Sequence, residues 1–115
     1  MIELPEYTDG CLRLYRITED TEHDYPEEVV KDEHMEIWFR EISVFDKVKY
    51  EFNQGGQEIT MKIRIPQYKE IDSSCMCLID GRWHLVFNAT HVKDKYGFPE
   101  TELTLIRPER EPRPV

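Results

Sequence analysis

Asp80-Gly81 sits between two apolar runs, Cys75–Ile79 and Arg82–Asn88, and no other feature restricts the fold as sharply. Asp-Gly suits the two positive φ angles of a type I′ turn, so these runs are expected to form a tight antiparallel hairpin with Trp83, Leu85 and Phe87 on one face. A second strong signal lies just upstream. Ile59, Met61, Ile63 and Ile65 alternate with Thr60, Lys62 and Arg64, which predicts a strand over 58–65 with one face to the core and one to water, ended by Pro66.

The remaining pattern is consistent with these two. Leu12, Leu14, Tyr15 and Ile17, interleaved with Arg13 and Arg16, predict a first strand after Asp9-Gly10. Met35, Ile37, Phe39 and Ile42 against Glu36, Trp38, Arg40 and Glu41 predict another, with Trp38 and Arg40 facing outward. Residues 43–57 read either as a strand around Val48, Tyr50 and Phe52 with a turn at Asn53-Gln54-Gly55-Gly56, or as one long loop. After a polar link with a Tyr96-Gly97 turn, Leu103 and Leu105 mark a last strand. No helix with an apolar stripe is visible. About six strands with turns between them indicate a mostly β protein, a small antiparallel barrel or sandwich with long loops.

Two segments stand apart. Between Thr18 and Glu36 nine acidic residues face a single Lys31, with Pro26 inside, which predicts an exposed acidic loop. Pro108, Pro112 and Pro114 among charged residues predict that order fails at the C-terminus. The chain of 115 residues is therefore divided into one β domain over 1–108 and an extended tail over 109–115.

Charge limits the partners. The formal net charge is −9, which repels nucleic-acid backbones and anionic membrane surfaces alike. No run approaches the ~20 apolar residues that cross a bilayer, and no N-terminal basic and apolar segment suggests secretion. The odd number of cysteines, Cys11, Cys75 and Cys77, fits a reducing compartment. Cys75 and Cys77 share one strand face near His84 and His91 in sequence. Structural zinc sites use wider spacing, and small buried hydrophobes are the simpler reading. No spacing singles out a carboxylate pair among the 24 acidic residues, and no Gly-x-Ser-x-Gly elbow or phosphate-binding glycine loop is present, so neither an enzyme nor a cofactor is expected.

The order of these features resembles that of tailed-phage head-tail joining proteins, also called head-closure or stopper proteins. The similarity runs from about Cys11 to Pro108. It is carried by Trp38-Phe39-Arg40-Glu41-Ile42, an insertion, Thr60-Met61-Lys62-Ile63-Arg64-Ile65, Leu78-Ile79-Asp80-Gly81-Arg82-Trp83 and Glu102-Leu103-Thr104-Leu105. The chain lacks the glycine of the Asp-x-x-Gly motif that often follows the first strand in that family. The resemblance implies a β-barrel that docks as a homo-oligomeric ring beneath a portal or adaptor ring and receives tail-completion or tail proteins. The assembly would form in the host cytoplasm and persist in the virion, with packaged DNA passing through the channel without sequence-specific contacts and no membrane involved. It also places a channel loop at residues 43–57, with Phe45, Lys47, Lys49, Tyr50, Phe52, Asn53, Gln54, Gly55 and Gly56 as its candidate residues. Trp38 and Arg40 are the interface candidates, because an outward tryptophan makes a docking anchor; the other reading of Trp38 is a cover over one end of the barrel. A generic β-barrel adaptor, a small metal-dependent or acid-base enzyme and an oligonucleotide-binding barrel are the rival readings.

Overall fold

The structure, a computed structural model, describes residues 6–20, 27–42 and 58–115. Asp80 and Gly81 adopt φ angles of 50° and 76°, both in the left-handed region, and the hairpin closes tightly on them. Its arms are β4 (Cys75–Ile79) and β5 (Arg82–Lys93). The other strands are β1 (Gly10–Asp20), β2 (Glu27–Ile42), β3 (Ile59–Pro66) and β6 (Pro99–Ile106), and every pairing is antiparallel. The order β1-β2-β3-β6-β5-β4 closes on itself through β1 and β4, so the fold is a closed barrel rather than a sandwich.

Alternation fills the interior. Leu12 and Leu14 of β1, Phe39 of β2, Ile63 and Ile65 of β3, Cys75, Cys77 and Ile79 of β4, Val86 of β5, and Leu103 and Leu105 of β6 form one buried cluster. Ile71, from the connection between β3 and β4, joins this cluster from the end where β3 finishes and β4 begins. The neighbouring Tyr68 N–H donates to Thr101 Oγ1 at 2.9 Å, which holds the connection on β6.

A smaller cluster lies on the opposite face of β1 and β4. Tyr15, Val30 and Met76 pack there with Ile17, Leu78, Trp83 and Leu85, and the rings of Tyr15 and Trp83 meet edge to face at 4.7 Å. Trp83 and Leu85 thus share a face as expected. Phe87 departs from them because a register shift falls between Val86 and Asn88. A similar shift between Ile59 and Met61 interrupts the alternation of β3 and leaves Thr60 2.7 Å from His84 Nδ1.

The acidic segment is not a loop where it is described. Thr18–Asp20 belongs to β1 and Glu27–Glu36 to β2, paired from Asp20↔Glu27 onward. Charge counted along the segment alone hides the reason, because the compensating cations lie on other elements. Arg13 pairs with Asp32 at 2.7 Å, Arg16 with Glu33 at 3.0 Å, and Arg113 with Glu27 at 3.2 Å. Val29 and Val30 supply apolar burial in the same stretch. A bulge inserts Glu33 and His34 opposite the Leu14/Tyr15 step, with His34 at φ 57°. Asp32 Oδ1 accepts the His34 N–H at 2.7 Å and so stabilises that turn of the backbone.

The proline-rich C-terminus also differs from expectation. Pro114 forms a parallel bridge with Val30, so the end of the tail lies along β2.

Candidate functional site

Two regions bear on function, one rim of the barrel and the outer face around Trp38. At the rim, β2 ends at Ile42 and β3 begins at Ile59, and these strands are paired antiparallel, so Ile42 and Ile59 lie toward the same end of the barrel. The expected channel residues Phe45, Lys47, Lys49, Tyr50, Phe52, Asn53, Gln54, Gly55 and Gly56 lie outside the described residues.

The same rim carries a hollow of about 1090 Å³ lined by Asp9, Glu41, Glu58, Asp80, Arg82, His84, Arg107 and Glu111 among others. Carboxylates outnumber cations along this wall, and Asp9 caps the end of β2 by accepting the Glu41 N–H at 2.8 Å. His84 lines the hollow but is itself buried beside Thr60. Burial, and then the charge of Arg82, lower its pKa, which favours a neutral imidazole that hydrogen-bonds within the fold.

On the outer face Trp38 is 59% exposed while its neighbours Ile37 and Phe39 point to the core, as the alternation predicts. It lies across from Cys11 on β1. Arg40, on the same face of β2, is engaged within the molecule. Its guanidinium donates to Glu100 Oε1 at 2.7 Å and Oε2 at 3.1 Å, and Arg64 approaches the same carboxylate at 3.5 Å. The Tyr7 hydroxyl adds a hydrogen bond at 2.9 Å and ties the N-terminal segment onto the barrel wall. Burial pushes the Glu100 carboxyl upward, but the hydrogen bonds from Arg40 and Tyr7 and the charges of Arg40 and Arg64 outweigh it and hold the group below its ordinary value.

Sequence reading missed this carboxylate. Its signal exists as opposite charges at alternate positions, Lys62 and Arg64 on β3 against Glu100 and Glu102 on β6. They become partners only once the pairing of those strands is known: Arg64 meets Glu102 at 3.0 Å and Lys62 meets it at 3.4 Å.

Cys75 and Cys77 are wholly buried members of the core, and burial pushes the Cys77 thiol up to about 12, far from the thiolate that metal binding or nucleophilic attack requires. His91 is directed to Thr101 Oγ1 at 3.0 Å. Among the described residues, no three His, Cys, Asp or Glu side chains are arranged to hold a metal ion. Among the same residues, no helix is long and apolar enough to cross a membrane. Neither protein-family models nor curated proteins gave a match to this sequence.

Proposed function

We propose that this protein is a structural ring component of a tailed-phage head-tail connector, a head-closure or stopper protein that docks beneath a portal or adaptor ring, helps retain packaged DNA and receives the tail. The observation that carries this reading is the antiparallel pairing of the end of β2 with β3 in a closed barrel, since the resemblance puts the channel loop between these two strands. A closed barrel has few free edges of its own, so it can be packed side by side in a ring without strand-to-strand growth. Trp38 supplies an outward apolar anchor on the wall of that barrel. The net charge of −9 suits a conduit through which DNA passes without adhering.

The deciding experiment is the mass of the species formed when the protein is mixed with a portal or adaptor ring. A stoichiometric ring of this chain on that template is the expected result. A chain that stays monomeric beside an intact portal ring overturns the reading.

A further inference from the structure

β2 is longer than its partners allow it to be covered. It pairs with β1 along nearly its whole length but with β3 only from Arg40 to Ile42, so its second edge is open at Val30. The C-terminal tail takes that edge. The Val30 N–H donates to Arg113 O at 3.1 Å, and the Val115 N–H donates to Val30 O at 3.0 Å.

The tail sequence fits one-sided attachment. In a parallel ladder centred on Val30 and Pro114, the polar groups of residues 113 and 115 turn toward β2 and those of 112 and 114 turn away. Pro112 and Pro114 therefore place both missing donors on the outer side, where a further strand would have to pair. The segment binds one edge and blocks the next. Charge fixes its position, since the Arg113 guanidinium reaches Asp20 at 2.9 Å and Glu27 at 3.2 Å across the two arms of the β1–β2 hairpin.

Between β6 and this anchor the tail bridges a hollow of about 630 Å³ bordered by Ile17, Met76, Leu85 and Ile106. It is thus held at its end more than along its course. Eight residue steps lead from Ile106 to Pro114, a reach of roughly 25 Å in extended form. That span is close to the short dimension of the molecule, 22 Å.

We propose that the edge of β2 at Val30, which β3 leaves uncovered and the chain's own tail fills, is also an acceptor site for the C-terminal tail of a second copy of this chain, so that neighbours are joined by exchanged tails. The occupant is a second copy because its Arg113, Pro114 and Val115 meet the same Val30, Asp20 and Glu27 that the chain's own tail meets, and the contacts at the acceptor are conserved on exchange. This inference rests on the ring reading above and names the contact that links adjacent subunits.

The test uses the 115-residue chain with a benzophenone amino acid in place of the exposed Val115. Equal amounts of 14N- and 15N-labelled chains are mixed, with and without a portal ring, irradiated and weighed. Exchange yields cross-links from position 115 to the Val30 edge that join 14N to 15N chains in the proportion random pairing gives. Rings whose cross-links all stay within one chain overturn exchange and leave the ring reading standing. Mixed cross-links in free protein that forms no ring on the portal uphold exchange and overturn the connector reading. Cross-links only within single chains, with no ring formed, overturn both.

Discussion

Arg40 grips the wholly buried carboxylate of Glu100 with two nitrogens, at 2.7 and 3.1 Å, and in doing so fixes β2 against the start of β6, which is not its neighbour in the barrel. Replacing Arg40 by Met removes the guanidinium while keeping an unbranched apolar stem. The carboxylate then retains only the more distant Arg64 and the Tyr7 hydroxyl, and stability should fall by about 3 kcal/mol. Urea unfolding followed by tryptophan fluorescence measures the loss. An unchanged midpoint would show that Arg64 alone neutralises the site.

The same carboxylate makes stability depend on pH. Glu100, Asp32 and Asp72 are all held below their ordinary values, so each binds a proton more readily in the unfolded chain. Their contribution is complete above about pH 5 and disappears as pH falls through the folded-state values, because unfolding then takes up protons. The unfolding midpoint should drop as pH is lowered from about 5 to about 3. Glu100→Gln should flatten that limb in part, and a limb as steep as the parent's would remove Glu100 from the cause.

Gly10 is a packing constraint. A Cβ built there lies 2.6 Å from the tip of the Phe39 ring, a buried group with no room to yield. Gly10→Ala should therefore destabilise by about 2 kcal/mol through overpacking. The double variant Gly10→Ala with Phe39→Leu should recover part of that loss if the clash is its origin, and a differential scanning measurement reads both.

Trp38 projects from the barrel wall, so its substitution separates assembly from folding. Trp38→Ala should change stability by no more than about 0.5 kcal/mol. It should weaken binding to a portal or adaptor ring at least tenfold if the indole is an anchor there. Sedimentation with that ring, beside a thermal melt of the free protein, distinguishes the two effects, and equal binding of parent and variant would assign the docking contact elsewhere.

Residues 53–56 offer a test of the channel role. Replacing Asn53-Gln54-Gly55-Gly56 by a shorter linker should leave the free protein's melting temperature close to the parent's, while particles assembled with it lose packaged DNA. Nuclease digestion of DNA from such particles is the readout. A variant that no longer folds would contradict the assignment of this stretch as a loop dispensable to the barrel.

Much of the fold was legible because period-two alternation and turn chemistry are local. Ile63 and Ile65, the Asp80-Gly81 turn and the outward Trp38 all follow from residues within a few positions of one another. What sequence reading misplaced depends on distant partners. Glu27–Glu36 read as a loop because Arg13, Arg16 and Arg113, which neutralise it, are on other elements. The ion pair of Arg40 was not legible because Glu100 stands 60 positions away. Bulges at Leu14/Tyr15, Ile59/Met61 and Val86/Asn88 broke the strict alternation at places that no turn residue announces.

The position of β6 sets the order in which the barrel can be completed. It is the last of the six described strands, yet it lies between β3 and β5 and pairs with both. During synthesis the first five strands can meet only as an open sheet whose two exposed edges, β3 and β5, wait for Pro99–Ile106 to emerge. Such non-local closure slows folding and leaves edges open to other chains in the interval. Sealing of the cylinder therefore waits until Ile106 has left the ribosome.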